Sequence, residues 1–301
     1  MSDIDFNAAG NQSLLMPDAA PREWNPIDLV QAAERLTVRR KLQQGLGSDD
    51  LGLVYQPVFN IATRSLVGAE ALLRWHPMKN GNVLPTPFLR LVEEWGLIVS
   101  IGEWVLNRGI SDLSQWRTNH LVGDSFRLWM NASPMQLADS SFAEVVGTIL
   151  ELHGVPAANV GIEIIEEPLQ NMAGSLTVLN ALRSSGVELR LDDFGVGHSN
   201  LERLLKLPVH GIKIDGRFVA ALDADDDGRG TIVVRNAIGL GRELDICVVA
   251  EGIETERQAE ILNAMGCEQG QGYWYGFPMP AEEFETFLAE YTAPASDVWE
   301  G

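Results

Sequence analysis

Acidic and amide side chains interrupt short apolar runs along this sequence at positions that invite a chemical reading. Glu70 lies inside VGAEALLRW (67–75), Asn131 ends FRLWMN (126–131), Glu163 sits near the end of VGIEII (160–165), and Asp192 with Asp193 ends VELRLDD (187–193). Further along, Lys213 is near the end of HGIKID (210–215), Glu251 ends ICVVAE (246–251), and Gln271 falls in QGQGYW (269–274). A buried apolar strand has no structural need for a carboxylate, and burying one unpaired is costly. Carboxylates on several separate segments therefore point to a shared cation. Oxygen donors without cysteine or clustered histidine suit Mg²⁺ or Mn²⁺ rather than Zn²⁺. The adjacent Asp192 and Asp193 would let one carboxylate bridge two ions while its neighbour serves one, as in two-metal phosphoryl transfer. Taken alone, that dipeptide reads equally well as a helix cap or a loop closure, because Asp favours the N-cap.

The elements that must position these groups can be read from the same runs. With LVYQPV (53–58) they make eight candidate strands. Stretches such as PMQLADSSFAEVVGTILELHG and GTIVVRNAIGLGRELD are long enough for crossover helices, and such alternation is the pattern of a parallel α/β barrel. The first connection, NIATRSL, is too short for a crossover, so the first two strands should form an antiparallel hairpin. The expected fold is thus α/β, a TIM-like (β/α)8 barrel with an antiparallel first strand, over residues 27–292, entered through a helix from Ile27 to Leu46. Residues 1–26 read as a flexible arm or linker and 293–301 as a tail. Reacting groups in such barrels project from the C-terminal strand ends, where the polar residues above are placed.

Composition limits the partners. In 301 residues, 46% hydrophobic, 22 Lys and Arg face 42 Asp and Glu, a formal charge of −20. That balance argues against binding to DNA or to an anionic membrane. An anionic ligand would need bound metal to neutralise it. Cys247 and Cys267 have no CxxC spacing, the N-terminus lacks a secretory pattern, and no apolar stretch approaches the roughly 18 residues of a membrane span. A reduced, cytoplasmic setting is expected.

Taken in order, Glu70-Ala71-Leu72 with Leu73-Arg74-Trp75, Asn131-Ala132-Ser133, Glu163-Ile164-Ile165-Glu166, Asp192-Asp193-Phe194-Gly195, Lys213-Ile214-Asp215, Ala250-Glu251-Gly252-Ile253-Glu254-Thr255 and Gln271-Gly272-Tyr273 resemble the signature blocks of the EAL family, the cyclic di-GMP phosphodiesterases. The likeness runs from about Glu34 to Leu288. It implies metal-dependent hydrolysis of cyclic di-GMP to linear pGpG. By similarity, Glu70, Asn131, Glu163 and Asp192 would hold a first ion, and Asp192 with Asp193 a second. Glu251 would complete the metal and water network, and Lys213 would orient or help activate the attacking water. Gln271 would support water or phosphate, and Gln56, Leu72 and Arg74 would line the substrate site. Glu166 and Glu254, each three residues after a proposed ligand, would hold loops through backbone hydrogen bonds. Relatives commonly form homodimers. No recognisable sensory unit accompanies the barrel, so an unidentified regulatory partner or a missing sensory domain is expected.

Plainer roles stand beside these. Lys213 reads also as a barrel-interior lysine paired for stability, Arg74 as a salt-bridge partner, and Gln56 as a cap on the first strand. At the level of the whole chain, a non-hydrolysing nucleotide receptor or a protein-interaction module on the same barrel are the alternatives. The segment after the fifth strand departs from the family's usual DDFGTGYSSL: Val196 replaces a hydroxyl-bearing residue, His198 an aromatic one, and Asn200 also differs. Ile165 removes a hydroxyl from the fourth-strand block. These changes bear on second-ion affinity and subunit coupling. Asp223, Asp225, Asp227 and Gly228 open like an EF-hand, but Val234 stands where a bidentate glutamate is needed, which leaves a solvated acidic loop. Trp75, Trp104, Trp116 and Trp129 are expected in the core.

Overall fold

The computed structural model describes residues 51–78, 81–83, 92–165, 172–195, 201–223 and 228–292. The expected arm, the helix over 27–46, the tail, Glu166, Val196, His198, Asn200, Asp225 and Asp227 lie outside the described residues. Strand β1 (Leu51–Asn60) turns tightly into β2 (Leu66–Met78), and β3 (Gly81–Val83) pairs back on β2. Helices and strands then alternate: α1 (Ile98–Thr118), β4 (Arg127–Ala132), α2 (Pro134–Ala138), α3 (Phe142–His153), β5 (Val160–Ile165), α4 (Met172–Ser184), β6 (Glu188–Phe194), α5 (Leu201–Leu204), β7 (Gly211–Ile214), α6 (Gly216–Ala220), α7 (Arg229–Leu244), β8 (Cys247–Ala250), α8 (Glu256–Met265), β9 (Gln269–Gly270), β10 (Met279–Pro280) and α9 (Ala281–Thr292).

Strands β2 and β4 through β9 pair parallel in sequence order, and β1 closes the ring antiparallel to both β2 and β9. The eight-stranded barrel with one reversed strand is therefore as the short first connection requires. Two details differ from expectation. Only Gln269 and Gly270 of the eighth run are strand: the Gln271 N–H still donates to Ala250 O of β8 (2.9 Å), but beyond it the backbone turns to the loop after β8, where Ile253 donates to Gln271 O (3.1 Å) and Trp274 to Ile253 O (2.9 Å). The two-residue and three-residue pieces β10 and β3 are too short for hydrophobic periodicity to show.

The main core lies between sheet and helices, where Ile101, Ile110, Leu113 and Trp116 of α1 meet Leu128 and Met130 of β4. A second, smaller cluster of Val58, Trp129 and Val249 fills the barrel interior. Of the tryptophans expected inside, Trp116 and Trp129 are fully buried and Trp104 packs half-buried on the core. Both cysteines are free, and burial pushes each thiol up to about 12. Among the described residues, no helix is long and apolar enough to cross a membrane.

Trp129 fits only because its neighbours are glycines. A Cβ on Gly161 would stand 2.1 Å from the indole and one on Gly68 2.3 Å from it. Gly161→Ala is expected to cost about 1–3 kcal/mol through overpacking. Combined with Trp129→Phe, it should cost less than the sum of the two single changes. Additive urea-unfolding free energies would show that the indole does not set the glycine requirement.

Candidate active site

At the C-terminal mouth of the barrel, side chains two residues apart along each strand share the inward face, so one residue from each strand reaches the centre. Lys213 of β7 stands in the middle. Its Nζ lies 3.0 Å from Glu70 Oε2, 2.8 Å from Glu163 Oε2, 3.4 Å from Asp192 Oδ1 and 2.6 Å from Glu251 Oε1. Glu251 is the first residue beyond β8, and its N–H donates to Ile214 O (3.1 Å), which anchors it against β7. Asn131 of β4 donates to Glu70 Oε1 (2.8 Å). Gln271, just past β9, donates to both Glu70 Oε2 and Gln56 Oε1 (2.9 Å each), and Gln56 faces Glu70 in the β1–β2 register. Gln56 in turn donates to Gly276 O (3.2 Å), so it ties β1 to the loop after β9 rather than capping its own strand.

Asp193 does not point into this ring with Asp192. It adopts a left-handed backbone (φ +56), which short polar side chains tolerate, and its N–H donates to Asp192 Oδ1 (2.9 Å). Asp192, Asp193 and Glu251 nevertheless each offer an oxygen within 4.8 Å of one another. The sequence assigned no role to Asp215, yet its carboxylate accepts from Arg217 N–H (2.8 Å) and is hydrogen-bonded to Asp193. The backbone turns after β7 and β8 meet where a Cβ on Gly252 (φ +64) would come 3.0 Å from Gly216 Cα, so Gly252 satisfies both the turn and the close approach.

Charge crowding dominates the electrostatics. Burial alone would lower the Lys213 ammonium, but Glu163, Glu251, Glu70 and Asp192 hold it well above the ordinary lysine range. Burial and the neighbouring Glu70 charge push Glu163 well up. Burial, with Asp192 and Glu70 opposing Lys213, brings Glu251 up to about 7. Burial, then Asp192 and Asp215, bring Asp193 up to about 6. Glu70 differs: burial opposes its ionisation, but Lys213 and the amides of Gln271 and Asn131 hold it below the usual carboxylate range. Carboxylates this close, all oxygen donors and short of positive charge, fit hard divalent cations.

An open cleft of about 380 Å³ adjoins the ring, lined by Gln56, Glu70, Leu72, Glu251 and Gln271 and also by Glu254 and Tyr273. A larger groove of about 570 Å³ around Trp104, between α1 and α3, has only Glu103 and Glu144 as ionisable neighbours and faces none of this chemistry. Arg74 is half-buried beside the cleft rather than lining it, with Nη1 donating to Leu73 O (2.9 Å). Glu254 does not hold its loop as expected. Its carboxylate is exposed on the cleft, and the loop is held by Gln258, which accepts from the N–H groups of Glu254 (2.7 Å) and Thr255 (3.1 Å). The Thr255-x-x-Gln258 capping box was the available signal. Asp223, from the expected acidic loop, accepts from Thr255 Oγ1 (2.8 Å).

Residues 39–278 match the EAL domain family. The bifunctional diguanylate cyclase/cyclic di-GMP phosphodiesterase MucR of Pseudomonas aeruginosa is 36% identical over 261 residues, covering 86% of this chain and 38% of MucR. The EAL enzyme Bd1971, solved with cAMP and cyclic-di-GMP bound, aligns at TM-score 0.79 and 31% identity over 86% of this chain and 70% of that one. The PaMucR phosphodiesterase in its c-di-GMP complex aligns at TM-score 0.76 and 36% identity over 82% and 99%. The chain spans 36%, 30% and 38% of the length of three curated relatives.

The crowding predicts a pH dependence. Carboxyls raised by folding bind protons more tightly in the folded than in the unfolded chain. Their stabilising contribution is full below the unfolded carboxylate pKa of about 4 and is lost as pH rises through about 6 for Asp193 and about 7 for Glu251. In EDTA, the urea midpoint should therefore fall from about pH 5 to about pH 8. Lys213→Met, which strands buried carboxylates, should cost a further 3–5 kcal/mol or about that at the upper pH. A flat profile would remove the crowding argument.

Proposed function

Because the chain belongs to the EAL domain family, we propose that it hydrolyses one phosphodiester bond of cyclic di-GMP to give linear pGpG, using two divalent ions, Mg²⁺ or Mn²⁺. The observation that carries this reading is the meeting of Glu70, Glu163, Asp192 and Glu251, from separate strand ends, on one buried ammonium beside an open cleft. Glu70, Asn131, Glu163 and Asp192 would hold one ion, Asp192 and Asp193 the other, and Glu251 would complete the metal and water network. Ions so held acidify water and neutralise phosphate oxygens, which an acidic protein of charge −20 cannot do with surface lysines.

The chain's own groups supply the rest. In the reaction, a water oxygen bonds to phosphorus, the P–O3′ bond breaks, and the departing 3′ oxygen takes up a proton. Lys213, fixed by its four carboxylates, keeps its proton, and would turn one of its three N–H groups from a carboxylate to the incoming water or phosphate when that carboxylate is taken up by an ion. Gln271 and Gln56 form a bonded pair that fixes the wall of the cleft beside Glu70. Leu72 gives that wall an apolar surface. Arg74 has a planar donor fork suited to phosphate once it leaves the Leu73 carbonyl. Family resemblance adds a homodimer, a loop role for Glu166, and regulation by a partner or by a further domain.

Incubation with cyclic di-GMP should yield pGpG with Mg²⁺ or Mn²⁺ and stop with EDTA, followed by chromatography. Glu70→Gln should lower turnover by at least about a hundredfold with the fold retained. Tight binding without turnover would identify a receptor instead, and undiminished turnover in a folded Glu70→Gln protein would overturn the site.

A further inference from the structure

A second buried cation lies one layer beneath the carboxylate ring. Strand alternation places Trp129 two residues behind Asn131, Arg190 two behind Asp192 and Gln269 two behind Gln271, on the same inward face. Arg190 is 1% exposed, and its guanidinium carbon stands 3.6 Å from the centroid of the Trp129 ring. Its Nε donates to Glu188 Oε1 (3.2 Å) and its Nη2 to Gln269 Oε1 (2.6 Å). Among the described residues, Nη1 has no hydrogen-bond partner. Glu188 also pairs with Arg127, so two guanidinium groups share one carboxylate and one positive charge is left over. Directly across the β5–β6 register from Arg190 stands Glu163 of the ring.

The ring above has four carboxylates around a single lysine, an excess of negative charge. We propose that Arg190, held flat on Trp129, is a positioning residue for the divalent-ion site: its charge offsets part of the ring's excess and sets how tightly the ring grips a cation. The proposal rests on the metal reading above. Its sign is distinctive. A residue that merely packs the barrel would, when removed, loosen the site and weaken ion binding. Removing a nearby positive charge does the opposite, because the unfilled ring then repels itself more and gains more from an ion. The low-dielectric interior leaves this interaction poorly screened.

The test is calorimetric titration of the EDTA-stripped full chain with Mn²⁺ alone. Arg190→Met should lower the Mn²⁺ dissociation constant on the order of three- to tenfold, and the metal-free protein should melt earlier. Arg190→Lys should return the constant to near the starting value. If Arg190→Met does not fold, Gln269→Glu decides the matter. It keeps the guanidinium and its packing but adds a charge at the 2.6 Å contact, and should also tighten Mn²⁺ binding. Unchanged or weaker Mn²⁺ binding in these variants would reduce Arg190 to packing and overturn the proposal. No Mn²⁺ binding by the unaltered protein would overturn the metal reading itself, and this proposal with it.

Discussion

One ammonium makes the rest of the mouth possible. Lys213 is buried with Glu70 and Glu163 around it, and neither its charge nor theirs could stay in the interior alone. Each carboxylate comes from a different strand, so the contacts exist only when β2, β5, β6 and β7 hold their register. A slip of one residue in any of them would turn its charged group outward, toward the apolar layer under the helices. The arrangement that gives the site its chemistry therefore also specifies the barrel.

The interior is built in two layers that divide the labour. The upper one is almost wholly polar and held by pairing, with Gln271 Oε1 left without a hydrogen-bond partner among the described residues. The lower one is closed by a single indole, which the glycines at 68 and 161 admit and which Val58 and Val249 flank. Small residues on two strands and one large residue between them make an asymmetric filling, unlike the evenly branched layers common in such barrels. It gives the polar ring a rigid base, with Arg190 clamped between the indole, Glu188 and Gln269.

Much of this was readable in advance because strand-end carboxylates are conspicuous in apolar runs. Glu70, Glu163, Asp192 and Glu251 were legible for that reason, Lys213 as the lone cation in its apolar run, and the hairpin followed from the length of NIATRSL. Other features left weaker marks. The eighth strand stops after Gly270 because the backbone beyond the Gln271 amide bonds to a neighbouring loop, a tertiary effect with no local signature. Gln258 announced itself only through a capping box, and nothing around Asp215 set it apart from other acidic residues. Arg74 resembles a substrate ligand in type, but its placement depends on a carbonyl one residue away. The structural role of Trp129 could not be separated from core filling, since an inward and an outward tryptophan look alike in one sequence.

The reversed direction of β1 has a geographic effect. In a barrel of uniformly parallel strands, the polypeptide would begin at the face remote from the chemistry. Here Leu51 lies beside Trp75 at the far end of β2 from the hairpin turn, on the same side as the acidic ring. The start of β1 and the carboxylate ring thus share one rim of the barrel, so a shift of the backbone at Leu51 bears on the edge of the cleft directly rather than through the length of the barrel wall.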